Sequence, residues 1–208
     1  MKAHCYYEPI PGSGAEPIIE LWRTSWERNG WSCVILGEQD FLRLPFSQAL
    51  DFAARRLPTV NNWIYERACY RRWLAMAGIG GGLMTDYDVI NVGFTPQDLP
   101  AYKGKMMRLN RQAPCVVYGR TINFLQAVDM FISYTPQSDD LFGDKMLVED
   151  QTILNRYPHV ADFHDLCSEW LPDHSNKETL VHFCNRVVTE AGTNKEKAIR
   201  DFLELKKT

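Results

Sequence analysis

The sequence lacks the features that mark several large classes of protein. It contains no dense run of lysine or arginine, and its formal net charge is −3, so charge gives no support to nucleic-acid binding. No apolar stretch reaches the roughly 20 residues of a membrane-spanning helix. The first ten residues lack the apolar core of a signal peptide, and no internal repeat or low-complexity segment occurs. We therefore expect a soluble, cytoplasmic protein.

The cysteines are scattered and lack metal-binding or disulfide spacing. No C-x-x-C pair occurs, and the flanking residues are apolar, as in SCVILG and APCVVYG. Such surroundings suit small buried side chains, and they disfavour a zinc site or a disulfide framework. The cysteines therefore indicate a reduced, intracellular protein. They are Cys5, Cys33, Cys69, Cys115, Cys167 and Cys184.

Length and composition indicate a folded α/β domain. The 208 residues are 45% hydrophobic and 12% aromatic, which is enough for a sizeable core and argues against disorder. Strand-like and helix-like segments alternate, which predicts a single domain over 1–208 with a central, mostly parallel sheet flanked by helices. Strands are predicted over 3–10, 31–37, 82–91 and 114–119. Helices are predicted over 18–30, 45–57, 61–78, 121–134, from about 149, and over 194–207.

The segment GGLMTDYDVI, residues 81–90, places two carboxylates at the end of a predicted strand. Ligands of α/β sheets bind beyond the carboxyl ends of strands. Residues i and i+2 of a strand point to the same side, so Asp86 and Asp88 converge if the strand extends that far. Repulsion between them would keep one protonated, whereas Mg²⁺ or Mn²⁺ would remove the conflict. The tripeptide alone fits an acidic loop in solvent equally well.

A longer segment around this motif resembles a known family. The stretch YERACYRRWLAMAGIGGGLMTDYDV resembles GT-A-type glycosyltransferases, in which an arginine-bearing helix leads through a glycine turn to the D-x-D strand. The resemblance is strong over 61–95 and weak after about 160, and it includes chlorella-virus members. It implies a GT-A-like, Rossmann-like fold with a nucleotide-sugar-binding part over about 1–95 and an acceptor and catalytic part over about 96–208. It also implies a viral protein of the host cytoplasm, which is either complete or one domain of a longer polypeptide.

The resemblance assigns roles to individual residues. It implies that Asp86 and Asp88 bind Mn²⁺ or Mg²⁺ on the diphosphate of a UDP-sugar, with His182 of LVHFCNR as a further metal ligand. MLVEDQTIL resembles the acidic motif from which inverting members take their base, which implies Asp150 first and Glu149 second. The implied reaction moves a glucose- or rhamnose-type hexosyl or deoxyhexosyl group to a hydroxyl of a glycan or glycoprotein, with inversion.

The donor site is expected to include residues of the first strand and the long helix. Arg72, or its neighbour Arg71, is expected to pair with donor phosphate, since a guanidinium matches phosphate oxygens. A wall for the nucleobase is expected from Tyr6, Tyr7, Pro9 and Pro11, and Tyr87 is expected to face either the ribose or the core.

Plainer interpretations of these residues stay open. Asp150 is also typical of the acidic first turn of a helix. His182 is equally consistent with a buried core histidine, and Arg72 with a structural ion pair. Tyr6 and Tyr7 equally suit an ordinary strand end.

Two other functions also stay open. A haloacid-dehalogenase-like phosphatase would use Asp86 as its nucleophile, and FGDKMLVED imitates its later acidic motif with Asp144 and Glu149. That family normally carries its D-x-D near the N-terminus, unlike this chain. The other alternative is a non-catalytic nucleotide- or carbohydrate-binding module.

Overall fold

Strands and helices alternate along the chain. The computed structural model describes residues 1–10, 14–142 and 145–206. The strands are β1 (Lys2–Tyr6), β2 (Ser32–Leu36), β3 (Gly81–Thr85), β4 (Val89–Asn91), β5 (Met106–Arg108), β6 (Val116–Arg120), β7 (Leu141–Phe142), β8 (Lys145–Met146), β9 (Ala161–Phe163), β10 (Cys167–Glu169) and β11 (Leu180–His182). The helices are α1 (Glu16–Arg28), α2 (Glu38–Phe41), α3 (Ser47–Ala54), α4 (Trp63–Gly78), α5 (Thr121–Ser133), α6 (Asp150–Arg156), α7 (Asn185–Glu190) and α8 (Lys195–Leu205), with a 3₁₀ turn over Pro158–Val160.

These strands form one large sheet and two small ones. The large sheet has the order β2-β1-β3-β6-β5-β9, and β6 runs antiparallel to the other five strands. A second sheet pairs β10 in parallel with β11, and β11 antiparallel with β4. The strands β7 and β8 form an antiparallel pair. The prediction of an α/β fold with a central, mostly parallel sheet is confirmed.

Hydrophobic helices cover both faces of the large sheet. Neighbouring residues of a strand point to opposite faces, and in β3 Leu83 packs with Trp22 and Trp26 of α1. The next residue, Met84, packs on the other face in the cluster that includes Trp73 of α4. Residues of α3 and α5 join that second cluster. The flanking helices were therefore predicted correctly, and the sheet is buried between two apolar layers.

Helix α4 is the element that leads into the D-x-D segment. It starts after Asn62, whose side-chain oxygen accepts a hydrogen bond from the Ile64 N–H over 2.8 Å and so caps the helix. Residues 70–77 are all buried, because α5, α2 and α3 pack around this half of α4. Within the described ranges, no helix is both long and apolar enough to cross a lipid bilayer.

Some predicted element boundaries are wrong. The predicted strand over 82–91 is two strands, because the chain leaves the large sheet after β3 and enters the second sheet at β4. The first strand ends at Tyr6 rather than at residue 10, and Pro9 cannot donate a ladder hydrogen bond. The helix predicted over 45–57 is the shorter α3, preceded by the unpredicted α2. Apart from β4, the strands of two or three residues were also missed, since they are too short for a periodic pattern.

A glycine turn carries the chain from α4 into β3. Gly80 and Gly81 have φ angles of +99° and +84°, a region that side chains with a Cβ rarely adopt. A Cβ on Gly80 would meet nothing within 4 Å, whereas a Cβ on Gly81 would lie 2.5 Å from the carbonyl oxygen of Gly119 in β6. Gly81 is therefore required both for its backbone conformation and for the close approach of the neighbouring strand.

These two glycines provide a matched pair of substitutions. Gly80→Ala is expected to cost about 1–2 kcal/mol of the free energy of unfolding, since it introduces backbone strain alone. Gly81→Ala should lower the free energy of unfolding by at least about 3 kcal/mol, because it adds a clash with the backbone of β6 to the backbone strain. Urea denaturation of both variants checks this, and equal losses would contradict the close-approach explanation.

Candidate functional site

The two aspartates lie in a turn between the two sheets. Strand β3 ends at Thr85 and β4 begins at Val89, so Asp86 and Asp88 lie outside both strands. The Val89 N–H donates to the carbonyl oxygen of Asp86 over 3.1 Å and closes the turn. The strand therefore does not extend to the two aspartates, and strand pleating does not align them. The turn itself brings them together.

Strand β11 places His182 beside this turn. His182 is opposite Val89 in the antiparallel pair, and the Phe183 N–H donates to the carbonyl oxygen of Asp88 over 3.0 Å. The Nε2 atom of His182 lies 3.5 Å from Asp88 Oδ1. One ligand atom from each of Asp86, Asp88 and His182 lies within 4.8 Å of the others. The structure thus brings together the three residues that the sequence suggested as metal ligands.

This donor set fits a divalent cation. Carboxylate oxygens suit Mg²⁺ and Mn²⁺, and imidazole suits first-row transition metals, so the mixed set suits Mn²⁺ best. His182 is 8% exposed, and its Nε2 atom faces Asp88. A buried imidazole nitrogen that lies next to two carboxylates is the observation that supports a ligand here.

Arg72 of α4 links the turn to helix α6. Its Nη1 contacts Asp86 Oδ1, and its Nη2 lies 2.7 Å from Oδ2 of Asp150 at the start of α6. The neighbouring Arg71 points elsewhere and binds Glu8 and Asp51, as expected for consecutive helical residues about 100° apart. Arg72 is therefore the arginine that belongs to this site, and it forms an ion pair there.

A lysine that the sequence did not suggest also contacts the motif. Lys195, the first residue of α8, places its Nζ atom 2.5 Å from Asp88 Oδ2. The exposed fractions of the two side chains are 13% and 12%, so this ion pair is largely shielded from water. A lysine in the first turn of a helix is unfavourable for the helix dipole, and that mismatch was a signal available in the sequence.

The two aspartates differ in pKa, as expected for closely held carboxylates. Burial raises the pKa of Asp86 to about 6, with Arg72 opposing this shift and Asp88 adding to it. Burial would also raise the pKa of Asp88, but Lys195 and His182 reverse the effect, and the net shift is downward. One carboxyl group therefore holds its proton more strongly than the other.

The site places cations next to carboxylates. Burial lowers the pKa of His182, whereas the neighbouring Cys115 and Asp88 raise it, and the net shift is upward. The permanent cation Arg72 pairs with Asp86 and Asp150, and Lys195 pairs with Asp88.

The two candidate bases have different surroundings. Asp150 is 4% exposed, and its Oδ2 accepts hydrogen bonds from Arg72 and from the Trp73 indole at 2.8 Å. Its Oδ1 accepts from the Gln151 N–H at 2.7 Å. Glu149 is half-buried, and its Oε1 accepts from Asn61 over 2.8 Å. Burial and the neighbouring Asp150 raise the pKa of Glu149, and Glu149 is the more exposed of the pair.

The residues expected around the nucleobase separate in the structure. Tyr7 and Tyr87 pack edge to face, with ring centroids 6.1 Å apart, next to the D-x-D turn. Tyr6 instead lies in the core, and its hydroxyl donates to Glu8. Pro9 is exposed. Pro11, expected in the nucleobase wall, and Asp144, from the phosphatase-like motif, lie outside the described residues.

Helix α4 contributes two further residues that the sequence reasoning missed. Tyr65 and Cys69 precede Arg72 by seven and three positions, a spacing that puts all three on one helix face. The charges of Cys69, Asp86 and Asp88 act to raise the pKa of Tyr65, which is 41% exposed. The 65-69-72 spacing was the signal that identifies this face.

Comparisons with known proteins add a structural similarity. No protein-family model and no curated protein matches the sequence. Among solved structures, the chain is similar to a glycosyltransferase involved in the glycosylation of the major capsid of PBCV-1, with 13% identity, 97% of this chain and 98% of that chain covered, and a TM-score of 0.49. At this identity and TM-score, the similarity by itself assigns no function to the chain.

The buried Arg72 pairs should control stability. Arg72→Met is expected to lower the free energy of unfolding by about 3–5 kcal/mol, because it leaves the buried Asp150 without its cation. The control is Arg111→Met, whose partner Asp165 and whose own side chain are both more than half exposed, and which should cost less than about 1 kcal/mol. Urea denaturation measures both. Equal small losses would show that Arg72 is not structurally required.

Proposed function

We propose that the protein is a metal-dependent glycosyltransferase. It transfers a hexosyl or deoxyhexosyl group, of glucose or rhamnose type, from a UDP-sugar to a hydroxyl of a glycan or glycoprotein, with inversion. The observation that supports this proposal is the convergence of Asp86, Asp88 and His182 directly after β3 in a mostly parallel sheet. Ligands of such sheets bind at this edge, and the resemblance of the surrounding segment to GT-A enzymes supplies the chemistry.

The proposed reaction breaks the bond between the anomeric carbon and a phosphate oxygen of the donor. A divalent cation bound there would neutralise the charge that develops on the leaving diphosphate. Asp86, Asp88 and His182 would hold that cation through two oxygens and one nitrogen. Arg72 positions Asp86, because its guanidinium ties the carboxylate to α4 and α6.

The contacts favour Glu149 over Asp150 as the general base. An acceptor hydroxyl must approach the base to about 2.6–3.2 Å, and a raised pKa improves proton abstraction. Both oxygens of Asp150 already accept hydrogen bonds, and its Oδ2 also pairs with Arg72. Glu149 has a raised pKa and accepts one side-chain hydrogen bond, from Asn61. We therefore assign proton removal to Glu149 and the positioning of Arg72 to Asp150, which reverses the order suggested by the sequence.

The donor nucleotide is proposed to lie along the end of β1. Tyr7 and Tyr87 supply an aromatic surface beside the D-x-D turn, and base or ribose packing on such rings is favourable. Pro9 is proposed to extend this surface, since it is exposed after the strand. Tyr6 is not assigned to this surface, since its hydroxyl donates to Glu8, which binds Arg67 and Arg71 of α4.

Nucleotide binding distinguishes this proposal from its alternatives. Asp88→Asn is expected to weaken Mn²⁺-dependent UDP binding by at least about tenfold, since the variant loses an anionic ligand. Isothermal titration with and without Mn²⁺ measures the effect, and Asp165→Asn, at an exposed position, is the control. Unchanged UDP affinity in Asp88→Asn would contradict the assignment. A phosphatase that uses Asp86 would instead hydrolyse phosphate monoesters without nucleotide preference, and a binding module would bind UDP without transferring sugar.

The two acidic residues before and in α6 can be separated by their effects on binding and turnover. Glu149→Gln is expected to retain Mn²⁺-dependent UDP binding and to lose sugar transfer by about 100-fold or more, because the base is removed and the shape is kept. Asp150→Asn is expected to lower stability together with activity, since it disturbs the Arg72 pair. Donor titration, urea denaturation and NMR of the transferred sugar measure these outcomes. Full transfer activity in Glu149→Gln would place the base elsewhere.

A further inference from the structure

The ion pair between Lys195 and Asp88 occupies the position that a cation would need. Lys195 Nζ lies on Asp88 Oδ2, and His182 lies at 3.5 Å from Asp88 Oδ1. Both carboxylate oxygens therefore already face a positive or hydrogen-bonding group. A metal ion bound by Asp88 has to compete with the lysine ammonium for this oxygen.

The location of Lys195 on its helix is unfavourable unless Asp88 is there. Asn194 caps α8 by accepting a hydrogen bond from the Lys197 N–H over 2.9 Å, so Lys195 follows directly at the positive end of the helix dipole. Its partner lies 107 positions away in sequence. Lys195 is thus held by one distant carboxylate against the repulsion of its own helix, and it becomes easy to displace once that carboxylate is neutralised.

Charge balance identifies what could displace it. In the structure, Asp88 faces Lys195 and His182, and Asp86 faces Arg72. A divalent cation bound by Asp88 would bring two positive charges to this carboxylate. Departure of the Lys195 ammonium would then leave no unpaired buried charge at Asp88, which avoids a large cost.

The released ammonium would remain close to any phosphate on the cation. The Lys195 charge is on a flexible four-carbon stem, and its helix is held in place by the apolar side chains Ala198, Ile199 and Phe202. A diphosphate that shares the cation with Asp88 brings negative oxygens into the reach of that stem. Lys195 then exchanges one anionic partner for another.

We infer that Lys195 is a displaceable counter-ion: a divalent cation displaces its ammonium from Asp88, and the ammonium then binds the diphosphate of the donor. This inference rests on the proposed function, since it assumes that Asp88 binds a cation and that the donor is a nucleoside diphosphate sugar. It adds a residue that senses the cation and contacts the donor.

Binding of Mn²⁺ alone tests the competition. Lys195→Met should raise the affinity for Mn²⁺, measured by electron paramagnetic resonance without nucleotide, by about tenfold, because the competing charge is gone. With saturating Mn²⁺, the same variant should bind UDP about tenfold more weakly. Lys197→Met is the matched control, since Lys197 is on the same helix, is 63% exposed and pairs with Asp201, and it should change neither affinity.

Chemical labelling of the unmodified chain gives a measurement that does not depend on how the variant folds. Acetylation followed by mass spectrometry should show that Mn²⁺ increases the labelling of Lys195 and that added UDP decreases it again, while Lys197 stays equally labelled throughout. Equal Mn²⁺ affinity in the unmodified chain and Lys195→Met, with unchanged labelling of Lys195, would overturn the inference and leave the proposed function standing. Absence of Mn²⁺ binding in both chains would overturn the proposed function as well.

Discussion

The guanidinium of Arg72 is the group on which the arrangement of the site depends. It contacts Asp86 at the end of β3 and Asp150 at the start of α6, and the Trp73 indole donates to the same Asp150 oxygen. Unpaired burial of such charges would cost several kcal/mol. The turn and α6 must therefore keep their positions relative to α4. Glu149, next to Asp150, is placed beside the site by this constraint rather than by any contact with the turn.

Charge compensation explains why so many ionisable groups tolerate burial together. Asp88 has a lowered pKa and Asp86 a raised one, although they are two positions apart in one turn. The difference arises because Lys195 and His182 contact Asp88, whereas burial dominates at Asp86. These carboxylates are stabilised by side chains from distant parts of the chain rather than by solvent. Each carboxylate of this cluster therefore depends on a specific positive or hydrogen-bonding partner.

Local pattern was enough to predict part of this structure and not the rest. Alternating apolar segments predicted the sheet and its flanking helices, because strand and helix periodicities are local properties. The D-x-D tripeptide was correctly placed after the carboxyl end of a strand of the large sheet. The turn between Thr85 and Val89 was missed, since an apolar run on both sides gave no sign of a change of sheet. Lys195 escaped detection because its partner lies 107 positions away. The choice of Glu149 rather than Asp150 as the proposed base depended on the contacts of Arg72, which cannot be predicted from a sequence pattern.

The two aspartates of the motif belong to different structural units. Asp86 is tied to the large sheet, since its N–H donates to the Cys115 carbonyl oxygen over 2.8 Å and its carboxylate contacts Arg72. Asp88 is tied to the second sheet through the Phe183 N–H and to α8 through Lys195. A cation held by both carboxylates would therefore connect the two sheets where they meet. The ammonium of Lys195 contacts Asp88, whereas Asp86 has Arg72 as its partner. Lys195 therefore connects α8 to Asp88 and does not connect the two sheets, as a cation held by both carboxylates would.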